Sequence, residues 1–507
     1  MRSTITSCSL LWAAVATVVL SQEDRSRLPP VKALALQKAI SKKALSTKAH
    51  ELEDIAYSTP DRNRVMSSEG HNLTVDWITG YLDQLRDYYT YEVQPFIALY
   101  SESNGSLEVA GEVIESVVFE YSPSAEVEEE IIAVDNLGCE ASDYPDAVAD
   151  SIALISRGEC EFGLKSALAG AAGALAAIIY NNEQGAITGG TLGEPPRPEG
   201  DYVGTVGIAK ADGLSILSVL EGGGSVTGTV VTESDIRNVT TFNVIAETIA
   251  GDHSNVLALG AHSDSVFAGP GINDDGSGTI GILEAAIQLS NYSTNNAVRF
   301  CWWSGEEFGL LGSTHYVETL NDTAGELDKI KLYLNFDMIA SPNYIFATFD
   351  GDGSKYNLTG PPGSAEVETF YRKWFKSRGY NITATAFDGR SDYQAFADNG
   401  IPCGGLFTGA DETKTRLLYE KFGGEQGEIC DPNYHTALDN YDNLNFDAFV
   451  PMEKALVASV AEYATSFGSL PEAKKARARG VEDGKIMRRA LADESFVMKG
   501  HTKLWRA

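Results

Sequence analysis

Apolar residues in the second half of the chain gather into short unbroken runs, and the polar residues of interest stand where those runs stop. Val256 to Ala261 and Ala297 to Trp303 are too short for independent helices and rich in β-formers, so they are read as buried strands. Phe242 to Ala246 and Lys331 to Phe336 have the same look, and so does Gly404 to Phe407. Between and around them the apolar period changes to three and four. Helices are expected over Asn72 to Leu85, Thr279 to Leu289, Gly312 to Leu320, Ala365 to Arg378 and Phe446 to Ser466. The last carries Phe449, Met452, Leu456, Val460 and Tyr463 at helical spacing, and Ser277 is placed to cap the helix that follows it. Alternating strands and helices predict an α/β domain with a mixed central sheet flanked by helices.

Around residue 100 the pattern changes to short β-like runs: Ser106 to Ala110, Val113 to Phe119, Ile131 to Val134 and Ile152 to Ser156. A small-residue helix over Lys165 to Ala174, the strand Ala176 to Tyr180 and a Gly/Pro-rich loop from Gly185 to Gly200 complete this stretch. It reads as a β-rich insertion over residues 105–232, which divides a first segment, 49–104, from the rest of the main domain, 233–468. The Cys160-Glu161-Phe162 segment, the Ala/Gly run from Ala169 to Ala174, and Ile178-Ile179-Tyr180-Asn181-Asn182 resemble a protease-associated domain. Such an insert shapes access to a site as a lid or recognises longer substrates.

The ends of the strand-like runs hold the candidate chemistry. His262 and Asp264 follow the first run, Asp274 lies in a Gly-rich turn, and Glu306 and Glu307 follow Trp303. Asp337 follows Phe336, and Tyr434-His435 sits in a loop beyond Phe407. Open α/β sheets place their sites at such carboxyl ends. Each residue alone has a bland reading as a core histidine, a turn or a solvated acidic loop. Together, carboxylates and imidazoles crowded at strand ends repel and desolvate one another unless cations neutralise them. Nitrogen and oxygen donors without thiolate suit zinc. Five ligands, His262, Asp274, Glu307, Asp337 and His435, exceed what one catalytic zinc needs, so two Zn2+ per subunit are expected with a carboxylate between them. Glu306, beside a ligand, is the candidate general base, and Asp264 orients His262. His50, His71, His253, His315 and His501 lack matching neighbours and are left to structural roles.

The motifs His262-Ser-Asp264-Ser-Val, Gly271-Ile-Asn-Asp274-Asp-Gly-Ser-Gly, Ser304-Gly-Glu306-Glu307-Phe-Gly-Leu-Leu-Gly-Ser, Asn335-Phe-Asp337-Met and Tyr434-His435-Thr are similar to those of secreted and vacuolar di-zinc aminopeptidases. The likeness spans roughly residues 40 to 468 and is strongest to the fungal leucine aminopeptidase and aminopeptidase Y group. It implies the di-zinc exopeptidase fold and hydrolysis of N-terminal residues, Leu and other apolar ones, from peptides with a free N-terminus. By the same resemblance Asp274 bridges the metals, His262 and Asp337 complete one site, and Glu307 and His435 the other. Tyr434 becomes a donor to the developing oxyanion. Gly389-Arg390-Ser391-Asp392 resembles a loop whose Arg shapes the substrate site, and Leu406-Phe407-Thr408-Gly409 resembles a wall of the specificity pocket. The rival readings are a carboxypeptidase or a glutaminyl cyclase-like enzyme on the same fold, or a binding protein that has lost its activity. The complete ligand set speaks against the last two.

Composition refines the setting. A chain of 507 residues exceeds one ordinary core. A net charge of -32 argues against nucleic acid as a partner, since phosphates are repelled. The apolar stretch Leu10 to Leu20 after Arg2 reads as a signal peptide over 1–21, too short for a membrane span. Residues 22–48 are a pro-segment or the first helix of the mature domain, and 469–507 form a basic, flexible tail. The sequons at Asn72, Asn104, Asn238, Asn291, Asn321, Asn357 and Asn381 fit a glycosylating secretory route, to the outside or to a vacuole, for a monomeric enzyme. Five cysteines remain after the signal leaves. Cys139 is paired with Cys160 and Cys403 with Cys430, each couple within one expected domain, which leaves Cys301 as a buried free thiol.

Overall fold

Three helices open the main domain: α1 (Ala33–Ala39), α2 (Lys42–Tyr57) and α3 (Glu69–Asp83). Ser41 and Ser68 cap α2 and α3 by accepting from the backbone N–H groups of Ala44 and His71. Val31, Leu36, Ile40 and Leu45 are buried in the main hydrophobic core. The stretch read as pro-segment or first helix therefore packs as part of the domain. This computed structural model describes residues 28–471 apart from 183 and 188, so the expected signal peptide and nearly all of the basic tail lie outside the described residues.

A long ribbon follows. Strand β1 (Tyr89–Val109) leads into β2 (Glu112–Ile114), β3 (Ser116–Val118) and β4 (Ala125–Ala133), then β5 (Ile152–Ser156), α4 (Phe162–Ala171), β6 (Ala176–Tyr180), β7 (Gly204–Ile208) and α5 (Lys210–Glu221). The chain returns on β8 (Thr227–Thr248). Strands β1 and β8 pair antiparallel from Tyr89 opposite Thr248 to Val109 opposite Gly228, so one two-stranded ribbon carries the insert on the main domain. Its strands, 21 and 22 residues long, exceed the usual five or six several-fold. Their main-domain halves were expected only in part, as Phe242 to Ala246, and the run Val113 to Phe119 divides into β2 and β3. The insert has its own apolar clusters around Phe119, Ile155 and Ile179 and around Leu154, Ile178 and Val206. A disulfide joins Cys139 to Cys160 as expected.

The rest builds the catalytic half: β9 (Asp252–His262), α6 (Gly276–Leu289), β10 (Asn296–Trp303), α7 (Leu311–Asn321), β11 (Ile330–Phe336), β12 (Ala347–Phe349), α8 (Ser364–Ser377), β13 (Thr383–Thr385), α9 (Tyr393–Asp398), β14 (Cys403–Phe407), α10 (Arg416–Phe422) and α11 (Phe446–Thr465). The sheet runs β13-β12-β14-β11-β9-β10-β8 and continues through β4 into the insert. Strands β10, β9, β11 and β14 are mutually parallel, whereas β8 runs against β10, and β12, parallel to β13, runs against β14, which is the mixed sheet the alternation predicted. Helices α6 and α11 cover one face with Ile280, Leu283, Met452 and Leu456, and α7 and α9 cover the other with Tyr316 and Phe396.

Two local expectations are corrected. Cys403 and Cys430 are both buried free thiols, as is Cys301. Cys403 opens β14, whereas Cys430 packs on Gly409 beyond the strand's other end, where an added Cβ would meet it at 2.5 Å. A strand at about 3.3 Å per residue holds them farther apart than the ~7 Å between Cα atoms that a disulfide tolerates. The cap of α6 is Asp275, whose side chain accepts from Gly278 N at 2.8 Å, and not Ser277. The Ser277 hydroxyl donates to Asn273 O and accepts from Ile339 N, which ties the turn to the end of β11.

Candidate active site

Parallel strands deliver the candidate residues to one edge of the sheet. His262 is the last residue of β9 and lies in register with Trp303, the last of β10, so Glu306 and Glu307 follow on the adjacent loop. Asp337 follows the last residue of β11. Asp274 sits in the turn before α6, across a cis Asp274-Asp275 peptide, and His435 takes a left-handed backbone, φ 57°, in the loop before α11.

All five expected ligands converge. Asp274 lies between the two imidazoles, with Oδ1 3.1 Å from His262 Nε2 and Oδ2 3.2 Å from His435 Nε2. Glu307 Oε2 is 3.1 Å from His435 Nε2, and Asp337 Oδ1 is 3.8 Å from His262 Nε2. Glu306 Oε2 stands 4.0 Å from the same nitrogen. Ligand atoms of His262, Asp274 and Glu307 fall within 4.8 Å of one another, as do those of His262, Glu306 and Asp337. Asp264 reaches to 3.6 Å from His262 Nδ1, on the side away from the other carboxylates, and accepts from Glu306 N.

The electrostatics call for cations. Burial pushes the Glu306 carboxyl well above its usual range, with Glu307 and Asp337 adding to the rise. Burial likewise raises Glu307 and Asp337. Burial opposes charge on His435, but Glu307 and Asp274 outweigh it and carry the imidazole up to about 11. His262 Nδ1, Asp264 Oδ2, Glu307 Oε1 and Asp337 Oδ1 are buried without a hydrogen-bond partner. Three orphaned carboxylate oxygens and one orphaned imidazole nitrogen, crowded together and buried, fit a site in which divalent ions supply the missing charge. The donor set, nitrogen and oxygen without thiolate, fits zinc.

A pocket of about 570 Å³ opens beside the cluster, lined by Glu306, Met338, Phe349, Arg390, Phe407 and Tyr434 among others. Arg390 and Phe407 thus face one pocket. Arg390 pairs with Asp411 at 3.2 Å and donates to the Tyr434 hydroxyl at 3.5 Å. Burial holds the Tyr434 phenol well above its ordinary value, so its proton stays in place.

Several supporting residues carried no signal in the sequence. Asp439 accepts from the backbone N–H groups of Asn273 and Asp274, and Asp431 accepts from the Asn273 side chain. Asp275 accepts from His262 N and Met338 N, which joins two strand ends to the cap of α6. Arg64, fully buried, donates to the carbonyls of Ser263, Pro270 and Gly271. Asp392 is buried with both oxygens lacking a hydrogen-bond partner. Arg64, Asp431 and Asp439 are single polar letters whose partners lie far away in sequence; Asp275 stood inside a recognisable turn and Asp392 at the end of the Gly389-Arg390-Ser391-Asp392 loop.

Comparison with known proteins agrees with this geometry. Peptidase family M28 matches residues 243–460, and a PA domain matches residues 127–216. The chain is 45% identical to leucine aminopeptidase 2 of Arthroderma otae over 484 residues, 95% of this chain and 96% of the relative. It is 47% identical to a probable leucine aminopeptidase 2 of Aspergillus oryzae over 464 residues, 92% of each. Among solved structures it is similar to an aminopeptidase from Aneurinibacillus sp. strain AM-1, with a TM-score of 0.71 at 27% identity over 87% of this chain and 97% of that one. A zinc aminopeptidase from Bacillus subtilis shares the fold, with a TM-score of 0.60 at 24% identity over 87% and 97%. On likeness that runs nearly from end to end, the chain belongs to peptidase family M28, as a member that carries a PA domain.

Proposed function

We propose that this chain is a zinc aminopeptidase that removes N-terminal residues, Leu and other apolar ones, from peptides. The observation that carries the reading is the Asp274 carboxylate set between His262 and His435, each about 3 Å away, with Glu306 at the same pocket. Two zinc ions would be held by His262 and Asp337 on one side and Glu307 and His435 on the other, with Asp274 shared. When bound, such ions supply Lewis acidity and a water acidic enough to lose a proton near neutral pH.

The residues divide the remaining work. Glu306, buried at the pocket with its carboxyl held well above the usual range, takes a proton from the attacking water and returns it to the leaving amine. Tyr434, kept protonated by burial and fixed by Arg390, donates its hydroxyl to the carbonyl oxygen as charge develops there. Phe349, Met338 and Phe407 offer apolar walls to the first side chain. Ser391 donates to Asp337 Oδ2 at 2.6 Å and holds that carboxylate in place. The pocket's carboxylates, Glu306, Asp337, Asp388 and Glu412 among them, suit a free α-ammonium group. The same charge disfavours a carboxypeptidase, because Arg390, the pocket's guanidinium, is already paired with Asp411.

All seven sequon asparagines are exposed, as glycan attachment requires, which supports the secretory route. Among the described residues no helix is long and apolar enough to cross a membrane.

The test is mass spectrometry of one peptide, in free-amino and N-acetylated forms, with the enzyme before and after zinc chelation. Stepwise loss from the N-terminus of the free peptide alone, abolished by the chelator, is expected. Trimming from the carboxyl end, or attack on the acetylated form, would sink the reading.

A further inference from the structure

The loop that leaves β12 carries a second group of carboxylates on residues separate from the five ligands. Asp350 and Asp352 flank Gly351 directly after the strand, and Glu368 reaches them from α8. One oxygen from each lies within 4.8 Å of the other two. Asp350 is fully buried. Its Oδ2 accepts from Lys355 N at 2.9 Å and Tyr356 N at 2.8 Å, whereas its Oδ1 is buried with no hydrogen-bond partner. Glu368, 4% exposed, gives Oε1 to Arg372 at 2.5 Å, and its Oε2 accepts a long bond of 3.3 Å from Asp352 N. Asp352 is exposed and accepts from Ser354 N at 2.8 Å. The Lys355 ammonium is directed at β13, where it donates to Thr383 Oγ1 and Ala384 O.

Three carboxylates thus face one another with the Arg372 guanidinium on the outer edge of one of them. A buried carboxylate oxygen without a donor calls for a proton or a cation, and with three carboxylates converging a cation answers all of them at once. We propose that Asp350, Asp352 and Glu368 form a calcium site that braces the loop between β12 and α8. The chemistry selects the ion. Oxygen donors without imidazole or thiolate do not favour zinc. Three protein carboxylates, two on a loop open to solvent on the Asp352 side and one from α8, match calcium, which takes six to eight oxygens in adaptable geometry. Magnesium keeps most of its water and uses one or two carboxylates. The residue before Asp350 is Phe349, a wall of the substrate pocket, so calcium at this loop also steadies the surface that meets the first side chain.

The experiment uses the zinc-loaded, full-length enzyme stripped of calcium. Terbium luminescence, sensitised by the neighbouring Tyr356, is titrated and then competed with Ca2+, and the melting temperature is followed alongside. One saturable site per chain is expected, with a Kd on the order of 10⁻⁴ to 10⁻³ M as in extracellular calcium modules, and a melting temperature that rises with calcium. Asp350→Asn should weaken binding at least tenfold at unchanged zinc content. Asp352→Asn, altered at an exposed side chain, serves if the first variant fails to fold, and should weaken binding in the same direction. Absence of saturable binding up to about 10 mM, an order above the weakest such modules, would overturn the proposal. So would binding that survives both substitutions, or binding lost in Glu306→Gln instead, which would assign the ion to the zinc pocket.

Discussion

Asp274 serves two imidazoles because each of its oxygens has a separate neighbour, and Asp439 anchors it from behind through its own backbone N–H. Glu306 differs in kind: its backbone N–H is held by Asp264, and its carboxyl is left to the pocket. Glu306→Gln should keep the parent's zinc content and lose roughly 10²- to 10⁴-fold in turnover, the usual worth of a general base; metal analysis beside steady-state kinetics checks it, and near-parental turnover would dismiss the assignment. His71 illustrates a different debt. It is buried under β9 with Nε2 3.0 Å from Ser263 Oγ, and burial depresses its pKa to about 4, against the pull of Asp264 and with the push of Arg64. Because the folded value lies below the unfolded value of about 6.5, the folded state binds fewer protons in between. His71 therefore contributes full stability above pH 6.5 and loses it as the pH falls towards 4, by about 1.4 kcal/mol per unit and about 3 kcal/mol in all. Denaturant unfolding of the parent and of His71→Gln from pH 7 to 4 should converge on acidification; parallel curves would show that the imidazole titrates alike folded and unfolded.

At the scale of elements, α2, α6 and α11 meet around an unusual trio. Lys48 of α2 lies 2.8 Å from Glu284 of α6, both buried, and Glu453 of α11 has both oxygens buried without a hydrogen-bond partner. Burial, reinforced by Glu284, holds Glu453 well above the carboxylate range, so it stays neutral while Lys48 compensates Glu284. The N-terminal helices thus bring a cation as well as apolar surface to the main core. Lys48→Met strands the Glu284 charge and should cost about 3 to 5 kcal/mol in urea unfolding, as breaking a buried pair does. The double variant Lys48→Met with Glu284→Leu should recover most of it; if it recovers none, the pair is not what Lys48 contributes.

At the scale of the whole molecule, the β1–β8 ribbon sets the insert beside the pocket. The Tyr121 hydroxyl donates to Leu99 O at 3.1 Å and to Phe308 O at 3.5 Å, one residue past Glu307. Its neighbour Glu120 is pushed up to about 7, by burial first and then by the charge of Glu307. The insert therefore reaches the rim of the metal cluster, which suits a lid that narrows access to chain ends.

Much of this was legible in the chain before any coordinates. The parallel strands β9, β10, β11 and β14, the helices α6, α7, α8 and α11, and the gathering of the five candidate ligands followed from local pattern, because a buried parallel strand must be apolar throughout and its polar continuation must lie at the sheet's carboxyl edge. Cys139 and Cys160 could be paired for a similar reason, since both lie in one small unit. Contacts that cross the fold could not be read. The Cys403 and Cys430 thiols lie at opposite ends of a strand whose extent along its own axis keeps them apart. Arg64, His71 and Asp439 act through partners brought near only when strands, turns and helices pack. Hydrophobic period is a property of neighbours in sequence, whereas charge compensation and hydrogen-bond partnership belong to neighbours in space, and only the tertiary structure chooses those.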